Sequence, residues 1–319
     1  MNEFNLIDKI KQKYYRQSGL IKGIGDDAAV FKQEKNIVTA VDTFVENVHF
    51  IKGQTMHAKN IGYRCLAANI SDLAAMGAVP SYYLVSVVIP DKWTDNEVLS
   101  VFEGLESLAE TYKMDLIGGD TVSGATFVLS ITVIGYCEES NIRYRSAAKP
   151  GDYIFVTGNL GNAAAGLSIL LGKEKVKHSS VFIEAHQYPK PQVEFSRALA
   201  DIKRVCLNDV SDGISSELNE IAHASNVSMI IKDANIPIDD RLSQFSDEQV
   251  LEFKYSGGED FELVGTIPQD DWTELVRIAK SKNIKLTYIG KVIESADFNK
   301  VIIEEDMSIL KPTGYIHLK

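Results

Sequence analysis

Three apolar, β-branched runs each close on an aspartate: IVTAV (37–41) on Asp42, LIGG (116–119) on Asp120, and VCLN (205–208) on Asp209, with Asp212 three residues further on. Between them lie stretches of helical period, clearest at 95–112, and a helix over 57–76 so apolar on every side that it must be buried. A chain that alternates strand and helix in both halves folds as α/β or α+β, and 319 residues suffice for two domains. Further strands are expected at 82–89, 126–136, 153–158, 227–232, 285–292 and 300–304, with a strand pair around SGGED at 256–260. Further helices are expected at 5–16, 161–171, 193–203, from 213 onward, and at 270–282. The turn KPGD at 149–152 marks the best boundary, giving one domain over 1–148 and another over 149–319.

Asp plus Glu number 44 against 33 Lys plus Arg, a net charge of −11. That balance excludes a general nucleic-acid binder, which needs a basic face. It leaves room for a small anionic substrate, provided metal ions stand between the two negative parties. Cys65, Cys137 and Cys206 are odd in number and widely spaced, without a CxxC pair, so neither a zinc knuckle nor a disulfide framework is indicated. The N-terminal stretch MNEFNLIDKIKQKYY lacks the apolar core of a secretory signal, and no run approaches the ~20 residues of a membrane span. The expected compartment is the cytoplasm, with no membrane partner.

The acids fall in turns. Asp26 and Asp27 sit in a glycine-framed turn, and Asp72 lies inside the buried helix with Asn69 three residues before it on the same face. Carboxylates gathered on one rim of strand ends repel one another, and Mg²⁺, which takes oxygen ligands and keeps room for phosphates, resolves the repulsion. Taken singly, each aspartate reads equally as a turn former or helix cap, and Asp72 as a partner of Arg64 or a helix lip reaching water. Gly118-Gly119 before Asp120 and Gly257-Gly258 before Glu259 permit close backbone approach to a ligand. There is no GxxxxGK[ST] loop. GNLGNAAAG (158–166) either presents a helix N-terminus to a phosphate or packs through small residues. Arg143, Arg145 and Lys149 either fork onto phosphate or lie in a solvated loop, and His49 is either a satisfied core residue or a donor to phosphate. The residues alone therefore point to a metal-dependent enzyme that handles phosphates without a P-loop.

Seven motifs stand in order: GIGDDAAV (23–30), VDTFVENVHF (41–50), NISDLAAMGAVP (69–80), LIGGDTVSG (116–124), KPGDYIFVTGNLGNAAAGL (149–167), DVSDGISSEL (209–218) and SGGEDFEL (256–263). Together, over nearly the whole chain, they resemble the thiamine-monophosphate kinase family, in the superfamily of aminoimidazole ribonucleotide synthetase and selenophosphate synthetase. The resemblance implies an α+β, two-domain aminoimidazole ribonucleotide synthetase-like fold. Its N-terminal domain would bind ATP and Mg²⁺ and form a sheet barrel across a homodimer. Its C-terminal α/β domain would complete the active site. The implied reaction is ATP-dependent phosphorylation of thiamine monophosphate to thiamine diphosphate, with ATP as co-substrate and several Mg²⁺ ions.

Carried over motif by motif, the metal ligands would be Asp27, Asp42, Asp72, Asp120, Asp209 and Asp212. Tyr112, Gly119, Asp120, Arg145 and Ser211 would meet the nucleotide, and His49, Glu259 and Tyr315 the thiamine phosphate. Two positions depart from the family. Ala40 and Val41 replace hydroxyl residues and offer a metal only their carbonyls, and Pro312 stands where a ring is expected to stack on the substrate, with Tyr315 as its substitute. The acceptor phosphate has a second pKa of about 6, so no general base is expected and transfer is direct and in line. The competing readings are another ATP-using enzyme of the superfamily, a cation-loaded oligomeric binder on the same scaffold, and a metal-dependent phosphatase. Selenophosphate synthesis would call for a reactive cysteine in an N-terminal glycine-rich segment, whereas the first cysteine here, Cys65, lies in an apolar helix.

Overall fold

The computed structural model describes residues 3–24, 28–294 and 299–314. They form two compact units, one from the described residues within 1–73 and 78–139, the other from those within 74–77 and 140–319. In the first unit α1 (Glu3–Ile10) precedes a ribbon of β1 (Leu20–Lys22) and β2 (Val30–Phe31). Then follow β3 (Asn36–Val45), α2 (Ala58–Ala75), β4 (Val79–Ile89), α3 (Asp95–Tyr112), β5 (Asp115–Ser123) and β6 (Val128–Cys137). The four longer strands form one sheet in the order β3-β6-β4-β5. β4 and β5 are parallel, so their link must cross over, and α3 is that crossover. It begins on a capping box: Glu97 N–H donates to Thr94 Oγ1 at 3.3 Å and Thr94 N–H donates back to the Glu97 carboxylate at 2.8 Å.

α2 and α3 cross where neither has room for a side chain. A Cβ on Gly62 would lie 1.9 Å from the Val101 carbonyl oxygen, and one on Gly104 2.0 Å from that of Lys59. The helices cover the sheet face that carries Phe44, Leu129, Ile131, Val133, Val85 and Val87, all buried. The opposite face is half open and leaves Ile37, Val41 and Val122 exposed.

In the second unit β7 (Tyr153–Thr157), α4 (Asn162–Leu170), α5 (Ser180–Gln187), α6 (Val193–Ala198), β8 (Cys206–Asp209) and α7 (Ile214–Ser225) lead to β9 (Ser228–Ile231). α8 (Asp247–Ser256), β10 (Leu263–Ile267), α9 (Trp272–Ser281), β11 (Leu286–Ile293) and β12 (Val301–Ile303) complete it. Six strands pair in the order β12-β9-β11-β7-β10-β8, antiparallel except for β12 on β9. Two cores flank this sheet. α7 packs Ile214, Leu218 and Ile221 with Val156, Met229 and Val264, while α6 and α9 pack Phe195, Leu199, Leu275 and Ile278 with Phe155, Leu207 and Leu263.

The fold is α+β, and three local expectations change. β3 and β5 do not stop at their aspartates but run on to Val45 and Ser123. The segment before SGGED is a helix, α8, whose Ser246 and Gln249 form a capping box. The first helix ends at Ile10 rather than near 16. No described helix is long and apolar enough to cross a membrane.

Candidate functional site

In the first unit the Asp42 backbone N–H donates to Asn69 Oδ1 at 3.0 Å, and Asn69 Nδ2 donates to the Cys65 carbonyl one turn back at 2.8 Å. Asn69 is fully buried. It therefore clamps β3 against the face of α2 that carries Asp72 one turn on. Asp42 and Asp72 are both half-buried there. Burial and the charge of Asp42 together push the Cys65 thiol well up, so that cysteine is an inert core residue.

β3 ends in a tight turn. The Val45 carbonyl accepts from Val48 N–H and His49 N–H at 3.1 and 2.9 Å, and Asn47 takes a left-handed backbone with φ 65°. Val45 N–H in turn donates to His49 Nδ1 at 3.0 Å. The ring proton therefore sits on Nε2, which makes that nitrogen a donor. The ring stacks on Phe44 at 5.4 Å, and the buried Arg64 guanidinium lies 5.4 Å from the same Phe44 ring, with Nη1 3.4 Å from the His49 carbonyl.

Asp120 lies elsewhere on the sheet. The register places Asp42, Ile131, Val85 and Gly119 on one rung and Thr43, Ser130, Ser86 and Asp120 on the next. Asp42 and Asp120 thus occupy opposite edges, three strand spacings or about 14 Å apart, and one sheet does not bring them together. A Cβ on Gly119 would meet the Val85 carbonyl oxygen at 1.9 Å, so glycine is required for that strand pairing. Gly119 and Asp120 line a cleft of about 100 Å³ with apolar walls that include Ile7, Ile10, Phe102 and Leu116. Tyr112, half-buried at the end of α3, does not line it. Asp26, Asp27 and Tyr315 fall outside the described residues.

In the second unit three segments converge. Glu259 N–H donates to the Ser211 carbonyl at 2.7 Å and Phe261 N–H to that of Val210 at 3.0 Å. Gly314 N–H donates to Ser216 Oγ at 3.1 Å, and Thr313 Oγ1 lies 3.0 Å from Ser215 Oγ and 2.6 Å from Ser256 Oγ. Glycine makes the approach possible: a Cβ on Gly258 would stand 2.4 Å from the Ser211 oxygen, and one on Gly314 2.1 Å from the Asp212 oxygen. Glu259 and Phe261 hold left-handed backbones, φ 66° and 50°, a strain concentrated at this junction. Ser211, Asp212 and Glu259 are thereby gathered at one junction, which Thr313 and Gly314 also join.

Arg145 Nε donates to Asn208 Oδ1 at 2.7 Å, and its Nη1 pairs with Glu220 at 3.0 Å. Arg143 is neither a solvated residue nor a phosphate fork: it is buried and donates to the Leu199 and Ile202 carbonyls at 2.6 and 3.2 Å, closing the end of α6. The N-terminus of α4 is filled by the chain's own Asp260, which accepts from Gly161 N–H and Ala163 N–H at 2.6 and 3.0 Å.

Two buried polar residues escaped sequence reasoning, Asn208 and Glu217. Their signals were present. Asn208 is polar inside an apolar strand, and Glu217 falls with Ile214, Leu218 and Ile221 on the buried stripe of α7. Burial, then the charge of Asp209, with Glu220 and Asp212 adding to it, pushes the Glu217 carboxyl up to about 8. Among the described residues no three His, Cys, Asp or Glu side chains form a metal cage of their own.

Known proteins share this architecture. Residues 25–137 match the family model for the AIR synthase related protein N-terminal domain, and residues 149–302 that for the C-terminal domain. Over 328 aligned residues the chain is 45% identical to the thiamine-monophosphate kinase of Bacillus subtilis (strain 168), covering 100% of both. The crystal structure of thiamine-monophosphate kinase from Stenotrophomonas maltophilia K279a superposes with a TM-score of 0.85 at 30% identity, over 97% of this chain and 98% of that one. AaThiL complexed with AMPPCP and TMP gives 0.78 at 27% identity, over 99% and 96%.

Proposed function

The chain belongs to the thiamine-monophosphate kinase family, and from that premise we propose that it transfers the γ-phosphoryl group of ATP directly, in line, to the terminal phosphate of thiamine monophosphate, with several Mg²⁺ ions bound. The observation that carries the kinase activity is the 45% identity maintained over the full length of both chains. AaThiL complexed with AMPPCP and TMP supports the same pair of substrates, since AMPPCP mimics ATP.

The acceptor is itself a phosphate, ionised above a pKa of about 6, so no side chain is needed as a base. The barrier is repulsion between two polyanions in a chain of net charge −11. Bound Mg²⁺ supplies counter-charge and polarises the phosphates. The donor set fits such an ion: the carboxylates of Asp42, Asp72, Asp120, Asp209 and Asp212 offer hard oxygens and leave positions for phosphate and water. Asp42 and Asp72, braced through Asn69, would hold ions together with Asp120, Asp209 and Asp212, and Asp27 would join them by motif. Arg145, fixed by Asn208 and Glu220, takes the nucleotide phosphates with Ser211, while Tyr112 and Gly119 meet the rest of the nucleotide. His49 Nε2–H donates to the thiamine phosphate, and Glu259 and Tyr315 serve the thiamine end.

The working form is a homodimer. β3 and β5 are sheet edges, and Ile37, Val41 and Val122 lie exposed on one face. Closing two such sheets into a barrel covers that face and pairs both edges. With β5 of one chain beside β3 of its partner, Asp120 nears Asp42 across the interface. An ATP-consuming reaction of this kind belongs in the cytoplasm.

The stereochemical course tests the mechanism. With ATP made chiral at the γ-phosphorus, direct transfer inverts that centre. Net retention would indicate a phosphorylated enzyme and overturn the in-line reading.

A further inference from the structure

The acidic loop and the arginine of the second unit are joined by a buried polar network. Glu217, 2% exposed, accepts from Asp212 N–H at 3.0 Å, lies 3.4 Å from Ser211 Oγ, and accepts a short bond from Asn208 Nδ2. Asn208, 1% exposed, spends its other amide atom on Arg145, whose Nε donates to Asn208 Oδ1 at 2.7 Å. Glu220 closes the circuit, 3.3 Å from Asn208 Nδ2 and 3.0 Å from Arg145 Nη1.

The chemistry of these groups allows one arrangement. Both Glu217 oxygens accept here, Oε1 from Asp212 N–H and Oε2 from Asn208 Nδ2, and a guanidinium only donates, so the amide between them turns its NH₂ to the acid and its oxygen to the arginine. Reversing the amide would set donor against donor and acceptor against acceptor, at a buried position where unmade hydrogen bonds are costly. Glu217 therefore determines which way Asn208 points, Asn208 determines where the Arg145 fork lies, and the same carboxylate holds the backbone of Asp212.

We infer that Glu217 and Asn208 are positioning residues for phosphoryl transfer: they aim Arg145 at the nucleotide phosphates and lock that aim to the Ser211–Asp212 turn. Neither touches the substrate in this scheme. The inference rests on the proposed kinase reading, because it needs Arg145 and Ser211 on the nucleotide; conversion of thiamine monophosphate by the wild-type protein tests that reading separately.

The test is a donor–acceptor exchange. In Glu217→Gln, the glutamine oxygen can still accept from Asp212 N–H, but its NH₂ faces the NH₂ of Asn208. In Asn208→Asp, the new carboxylate can accept from Arg145 but faces Glu217. Combining the two restores one carboxylate, one amide and the central bond with its polarity reversed, and gives up only the long 3.3 Å contact from residue 208 to Glu220, whose charge Arg145 still pairs. Each single variant is expected to raise KM for ATP about tenfold or more, the scale of a lost charged hydrogen bond, with KM for thiamine monophosphate nearly unchanged. The double variant is expected to return KM for ATP to within about threefold of wild type. A merely structural role would lower activity and melting temperature together without that rescue. Should a single variant fail to fold, the double variant carries the test, since its buried charge equals that of wild type. Single variants with wild-type KM for ATP, or a double variant no better than the poorer single or unable to fold, would overturn the inference.

Discussion

At Asp260 and Glu262 burial outweighs the hydrogen bonds each carboxylate accepts, and both are pushed up to about 7 from ordinary values of 3.8 and 4.5. Between those values and 7 the folded chain binds more protons than the unfolded one. The stability these two carboxyls contribute is therefore full below about pH 4 and is lost as pH rises through 7. Thermal midpoints measured from pH 5 to pH 8 should fall in the wild type. They should fall less in Glu262→Gln, the difference being on the order of 1–2 kcal/mol. Identical pH profiles for the two proteins would show the assignment to be wrong. The aspartates proposed to bind metal behave differently: Asp42→Asn and Asp120→Asn should each lower kcat by ~10² or more with melting temperature almost unchanged. Wild-type turnover in either, at saturating Mg²⁺, would remove that residue from the machinery. These acids were legible in the sequence because each sits beside an apolar or glycine run where a lone carboxylate is out of place. Asn208 and Glu217 were not, because a polar residue on a buried stripe announces a partner without saying which one.

Among the elements, the α2–α3 crossing is the most exacting. A methyl on Gly62 would be driven against the Val101 carbonyl, a backbone atom that can retreat only if the helices separate. Gly62→Ala should cost about 2–3 kcal/mol in denaturant unfolding, and a loss below about 0.5 kcal/mol would mean the helices do not meet there. α3 is placed to the residue by its helical period over 95–112, and the structure adds the capping box of Thr94 and Glu97 at its start. α8 carried the same signature at Ser246 and Gln249, but its apolar residues lack a clear stripe, so a strand was expected there. β3 and β5 were read as stopping at Asp42 and Asp120. An aspartate in a strand is tolerated where the strand is an edge with one open flank, and both are edges. That single difference changes the site from a rim of strand ends to two edges of one sheet.

At the scale of the whole molecule, the separation of Asp42 and Asp120 within one sheet meets the proposed dimer. Mixing Asp42→Asn with Asp120→Asn protein under exchange should form hybrids in which one site carries both changes and the other none. About a quarter of wild-type activity should return from two inactive partners. No recovery, in a mixture shown to contain hybrids, would place both aspartates on separate ions or within one chain. Two units could be foreseen from alternating periods, and the chain's family from seven ordered motifs. The pairing of strands distant in sequence, such as β10 between β7 and β8, could not, because nothing local to a strand encodes its neighbour. The central claim is that this chain phosphorylates a phosphate. It is tested most directly by incubating the purified protein with ATP, Mg²⁺ and thiamine monophosphate and resolving the thiamine phosphates and adenine nucleotides by chromatography. The account predicts thiamine diphosphate and ADP in equal amounts, neither forming without thiamine monophosphate or with the metal chelated. ADP and inorganic phosphate without thiamine diphosphate, or product formed in excess chelator, would contradict it.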